Sequence, residues 1–548
     1  MSYFSTSGLS HVRHFNRPAL LCLSSLAAIM YVSPVKANSV SWNLNAGNGS
    51  WDVGNNWSGG SVPTASDDVL NSTSDTIIVG DYTSDLNYTS TTSFAKSLTN
   101  SGGGELLNEY TDTLTIGSSC DNSNGSSIVN DGYYQGGVGF STPLFIAINL
   151  QGGLTNNDGS VEVQNGAIDN ITGTSVLNES GSLLNSDGIY SSYDMSSELY
   201  LGDSSGYNPL TSLNNESNST VSATNGGVVN ILAEQTTNSY GSTIQADGVD
   251  PTGSSQVSTI NFNSVQAPDN PMPSNSILNS GIFEATNGGT ISVGNNNFMG
   301  QPVTFTNEST GTVYVGANSS INLGVTQSLV NAGNIQIMYG GQLTTYGDIN
   351  QTAGTTKVDG ELTLVGDTQN VGADTFNLQG GTLNGIGTIN SSNISSAVLN
   401  GNVNQTGGTF NPGEDPSAFT LNGNYIISGG NFQIEIASIS SFDMLNVSGS
   451  TNITGGTLSL DFLNGFVPST GQTYDFLQAT NGISGDFSSF NSNLSGTSFS
   501  FNNGMLTILG APPAVPESGT AASLMLLLVP AGVLAARRAS RLPKASVL

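Results

Sequence analysis

Enzymatic chemistry needs a base, a nucleophile or carboxylates held at a fixed separation, and this chain has few residues of those kinds. Its two histidines, His11 and His14, both lie before residue 38, so residues 38–511 carry no imidazole. A Ser-His-Asp triad is therefore excluded there, as are zinc sites built from His and Cys. The cysteines are Cys22 and Cys120. With no imidazole to activate it, Cys120 reads as a small buried apolar residue rather than a nucleophile. Once a leader containing Cys22 is removed, no intrachain disulfide can form. Asp67-Asp68 is the one adjacent acidic pair that suggests glycoside hydrolysis, but its place at a turn favours solvated loop carboxylates. Asp121-Asn122-Ser123-Asn124-Gly125 has a trace of a calcium loop but lacks the alternating carboxylates and the distant Glu. These residues predict no catalytic, cofactor or metal site, and the chain is expected not to be an enzyme. Calcium is expected only as loose binding to net negative charge.

That charge is unevenly placed. Of nine basic residues, only Lys96 and Lys357 fall within 38–511, against 38 acidic residues, giving this body a formal charge of −36. A general base of the Lys or Arg type is nearly unavailable, and nucleic acid would be repelled. Charged residues are only 9% of the 548 and hydrophobic residues 36%, whereas Gly numbers 69. Such a composition suits stacked strands with polar turns, each layer burying a thin apolar stripe, better than a helical core.

The elements follow from local repetition. Ala223-Thr224-Asn225-Gly226-Gly227-Val228-Val229 recurs as Ala285-Thr286-Asn287-Gly288-Gly289-Thr290-Ile291. Gly-Gly, one residue and then an apolar one recurs at Gly340, Gly380, Gly407, Gly429 and Gly455, the last four 27, 22 and 26 residues apart. Such periods suggest one solenoid coil per repeat, with Gly and Asn at tight corners. Runs such as Thr290-Ile291-Ser292-Val293 alternate with period two, one face inward and one outward. Residues 98–420 are accordingly expected to form an irregular parallel β-helix of about fifteen coils, roughly 70 Å long at strand spacing. A string of antiparallel sandwiches is the alternative.

The ends have a different character. Basic residues, an apolar run Ala19–Val32 and Val35-Lys36-Ala37 form a secretory pattern, predicting cleavage by signal peptidase between Ala37 and Asn38. At the other end, Val515-Pro516-Glu517-Ser518 precedes an apolar run Ala521–Ala536 and the basic Arg537, Arg538, Arg541 and Lys544. Sixteen helical residues reach about 24 Å, slightly short of a hydrocarbon core of about 30 Å.

This tail resembles the PEP-CTERM (VPEP, ice-binding-protein C-terminal) sorting signal, with Ser518 departing from the second Pro of its motif. The resemblance implies recognition by an exosortase-type membrane protease, removal of the tail and release to the cell surface or an exopolysaccharide matrix. The opening segment, with Trp42, Trp51 and Trp57 in Gly-, Asn- and Asp-rich sequence, looks like the start of bacterial autotransporter-associated β-strand repeat proteins. Its indoles are expected to cap the first coil or, less simply, to stack on sugar. The section after residue 420 resembles the C-terminal end of autotransporter-type passenger domains. An ice-binding surface is not expected, because Thr-x-Thr triplets such as Thr113-Leu114-Thr115 are scattered.

The expected protein is all-β: a parallel β-helix with a C-terminal β-strand module and a terminal hydrophobic helix. Its divisions are a signal peptide (1–37), a Trp-rich cap (38–97), the solenoid (98–420), the C-terminal module (421–510) and a linker with sorting tail (511–548). It would be secreted through the inner membrane and transiently anchored by that helix. The expected role is structural, at the cell surface or in a matrix with extracellular polysaccharide as partner. An adhesin or carbohydrate-binding protein is the alternative.

Overall fold

Along most of the body, Ser, Thr and Asn alternate with Ile, Val and Leu. Short strands with one buried edge are what such alternation can build. Thr290–Val293, for example, buries Ile291 and Val293 and turns Thr290 and Ser292 outward. The computed structural model describes residues 38–43, 46–80, 92–109, 112–132, 147–188, 196–203, 209–248, 256–262, 276–294, 303–324, 328–365, 374–385, 388–390, 393–395, 397–413 and 415–510.

Within these residues the strands stack in three parallel sheets. The first, 17-stranded, runs from Ser39–Ser41 to Ile483–Gly485. The second runs from Gly49–Ser50 to Ser489–Ser492. The third, 15-stranded, runs from Thr92–Ala95 to Leu477–Ala479. Full coils place one strand in each sheet in turn. Thr304–Asn307 lies in the first, Thr312–Val315 in the second and Ser320–Leu323 in the third, before Ser328–Asn331 returns to the first.

Because adjacent coils pair in register, like residues stack. Ile260, Ile291, Ile321, Leu343 and Leu362 form one continuous inward column, each 0% exposed. Burying each such side chain contributes about 1.5–3 kcal/mol. The repeated Asn-Gly-Gly is a corner. Asn225 and Asn287 take φ of 51° and 53°, and the glycines after them 88° and 92°. The second glycine of each repeat has a different reason. A Cβ on Gly227 or Gly289 would lie 2.1 Å from the carbonyl oxygen of Ser186 or Ala246 in the preceding coil.

The sheets run without interruption through residues 97/98 and 420/421, so the coils extend on both sides of the expected 98–420. Antiparallel pairing is local. A bridge joins Trp42 to Trp57, and Thr388–Asn390 pairs with Asn393–Ser395. Asn431–Ser438 folds back on Ser441–Phe442. A three-stranded sheet of Thr473–Asp475, Ser498–Asn502 and Met505–Gly510 closes the end of the third side.

Two expectations are corrected. A terminal hydrophobic helix is not retained as part of the fold. Among the described residues helix is confined to the 3-10 turns Gly54–Asn56 and Leu463–Gly465. Transient anchoring by a transmembrane helix, and with it the exosortase-type (PEP-CTERM) tail and the localisation drawn from it, is withdrawn on the same ground. No helix among those residues is long and apolar enough to cross a membrane. Within the body, Gly and β-branched residues interrupt nearly every helical window. The apolar run Ala521–Ala536 lies outside the described residues.

Candidate functional site

The residues with chemical potential are each held in a structural role. Asp67, 8% exposed, accepts the backbone N–H of Thr64 at 2.9 Å and its hydroxyl at 2.7 Å, which closes a turn. Asp68 points outward instead. It accepts bonds from Ser97 at 2.6 Å and Lys96 at 3.1 Å, and these, the Ser97 bond foremost, hold its pKa below the usual range. The two carboxylates thus serve different partners and do not converge as a hydrolytic pair. Cys120 stacks between Leu98 and Leu154, and burial pushes its thiol up to about 12. In the strand Cys120–Ser123, Asp121 faces out and Asn122 faces in, so the segment cannot wrap an ion. No group of three or more Asp, Glu, His or Cys among the described residues could hold a metal ion.

Trp42, Trp51 and Trp57 are brought together at the start of the stack. The Trp57 ring meets both others edge-on, with centroids 4.9 Å away in each case. Trp57 Nε1 donates to the Trp51 carbonyl at 2.7 Å, and Trp42 Nε1 to that of Gly47 at 3.2 Å. All three are at most 3% exposed, so none offers a free ring face to a sugar. Of the other positions singled out, Asn38 begins the described chain, its carbonyl accepting from Asp68 N–H. Ala37, Val515, Pro516, Glu517, Arg537, Arg538 and Arg541 lie outside the described residues.

Sequence reasoning missed the most regular polar feature. Inside the first sheet, Asn71, Asn100, Asn122, Asn156, Asn178, Asn215, Asn238, Asn279, Asn307 and Asn331 form a column, each at most 1% exposed. Each Nδ2 donates to the Oδ1 one coil later at 2.8–3.0 Å, and Asn331 donates to Gln351 Oε1 at 3.2 Å. The remaining amide hydrogen often reaches a backbone carbonyl of the second sheet, as from Asn215 to Thr243 at 2.9 Å. Leu378, in register with Gln351 and Gln405, interrupts the column.

A shorter column runs from Asn108 to Asn130 and on to Asp169. Asp169 occupies a core position between Ile148 and Leu199 and is 1% exposed. Burial raises its carboxyl to about 7, and bonds from Ile148 N–H and Asn130 oppose that only partly. Asp443 is likewise raised to about 7, by burial first, despite accepting the N–H groups of Glu435 and Ser417. The carboxylates of Glu435 and Asp415 lie close enough to Asp443 to push it up further, whereas the bonds to Asp169 come from an amide and a backbone N–H.

The outer faces differ in charge. The second sheet turns out Glu105, Glu109, Glu162 and Glu284. Glu109 is raised by burial and then by Asp131, its neighbour in register. The third sheet turns out fewer acids, Glu198 and Glu361 among them, and carries Asn149, Asn170, Tyr200, Asn230, Asn261, Ser292, Asn322 and Thr344 in one row, with short bonds such as Asn261 to Asn230 at 3.0 Å.

No protein-family model matches this chain, and no curated protein matches it in sequence.

Proposed function

We propose that this chain is a non-catalytic structural protein, a β-solenoid scaffold. The supporting observation is that the three sheets form an unbroken stack in which the candidate acids and the thiol are each committed to holding coils or corners. A matrix-type role suits a body whose backbone is paired coil to coil and whose surface is polar. The test is turnover. Purified full-length chain, incubated with neutral and acidic polysaccharides, is expected to release neither reducing ends nor unsaturated products above a buffer blank. Release of either from any of them would overturn the reading.

A second reading, a carbohydrate-binding surface, is favoured by the third sheet's outward row of amides and hydroxyls. Those groups recur at strand spacing, about 4.8 Å, and can bond to sugar hydroxyls without a charge. Co-sedimentation with an insoluble neutral glycan, lost on Asn261→Lys, would select this reading over a purely structural one.

A further inference from the structure

The two ends of the stack are finished differently. At the start, three indoles close the core. At the other end, the hairpin Ser498–Gly510 packs over the core, with Leu506 and Ile508 fully buried and Phe499 and Phe501 against Phe462 and Phe487, but it adds no strand to the first or second sheet. The last strands of the first and second sheets, Ile483–Gly485 and Ser489–Ser492, pair on one side alone among the described residues. Phe490 records the consequence. It lies in register with Leu458, which is 0% exposed, yet is itself 39% exposed.

Soluble proteins protect such edges with Lys, Pro, inward charges or bulges. Neither strand here has any of these, and Asp486, between them, is the one charged residue from 483 to 492. We propose that this open end binds the same end of a second copy, forming a twofold dimer. Its edge strands would pair antiparallel, with Phe490 covered.

Two observations select that occupant. The −36 body makes flank-to-flank approach repulsive, whereas the end strands are uncharged. The chain's own next segment is a poor strand donor, since Pro512, Pro513 and Pro516 lack the N–H that a ladder requires. A twofold operation also closes the assembly, so pairing stops at two copies.

The test is light scattering of the full-length chain over a concentration series. A dimer is expected, with Phe490→Lys or Asn491→Pro raising its dissociation constant by at least about tenfold. Circular dichroism should stay unchanged, and Asn322→Lys on the flank should leave the dimer intact. Should either end substitution unfold the last coil, Asn491→Cys supplies a second measure: oxidation is expected to give a disulfide-linked dimer. A chain monomeric at every concentration, a dimer that survives both substitutions with the fold intact, or no cross-linking through Asn491→Cys would each overturn the proposal.

Discussion

Asp169 shows how one residue can set the pH response of a repetitive fold. Its position in the third sheet belongs to a column of Ile, Leu and Val, and its carboxyl is most comfortable there when protonated. The folded pKa of about 7 lies above the unfolded value of 3.8. Its favourable contribution is therefore complete below about pH 4 and lost as pH rises through 7. Asp443 shifts in the same direction. Acidifying from pH 8 to pH 5 is thus expected to raise the melting temperature. Asp169→Asn keeps an acceptor for Asn130 and removes the charge. It should stabilise the protein by on the order of 2 kcal/mol at pH 8 and by much less at pH 5. Equal effects at both values, read by thermal unfolding, would contradict this account.

At the scale of the element, the asparagine column ties each coil of the first sheet to the next. Asn215→Ala leaves the Nδ2 of Asn178 without its acceptor and the Oδ1 of Asn238 without its donor. A buried unsatisfied polar group costs about 1–3 kcal/mol. The expected loss is therefore about 2–5 kcal/mol once the small cavity is included, measured by denaturant unfolding. An outward change such as Asn322→Ala should cost less than about 0.5 kcal/mol.

This element also shows where sequence reasoning stopped. Alternation identified strands, and Asn-Gly-Gly identified corners, because both follow from local backbone preference. The column was hidden because Asn is ordinarily a turn residue, and an inward Asn breaks the rule of apolar residues inside. Its trace is nevertheless present as a recurring triplet of inward residue, any residue, then Asn. Val69-Leu70-Asn71, Leu98-Thr99-Asn100, Leu154-Thr155-Asn156 and Phe305-Thr306-Asn307 are instances. Reading that parity would have placed the first coils before residue 98. Asp169 and the committed roles of Asp67 and Asp68 were not legible, since they depend on which residues the neighbouring coils bring into contact.

Across the whole molecule, the three tryptophans sit together in the first coils, so indole fluorescence reports that end alone. Blue-shifted emission is expected from their burial. In a solenoid each coil touches mainly its neighbours, so the ends can open separately from the middle. Urea unfolding followed by fluorescence and by far-ultraviolet circular dichroism should give different midpoints. Coincident curves would show the stack to melt as one unit.

The long and short steps of the asparagine column have a related meaning. Successive members from Asn100 to Asn279 are 22, 34, 22, 37, 23 and 41 residues apart. Extra chain is therefore admitted on alternate coils, which spaces the insertions at about twice the strand separation, or roughly 9.6 Å.

The amides of the main column all face one way. From Asn71 to Asn331 each amide donates to the side chain one coil later, whereas the Oδ1 of Asn71 is already engaged by Thr73. The column consequently has a polarity, with its acceptor end at Asn71 and its donor end toward Gln351. A chain emerging from its amino end would meet the tryptophan plug first and then wind forward, each turn completing the one before it, like a ratchet that advances in a single direction.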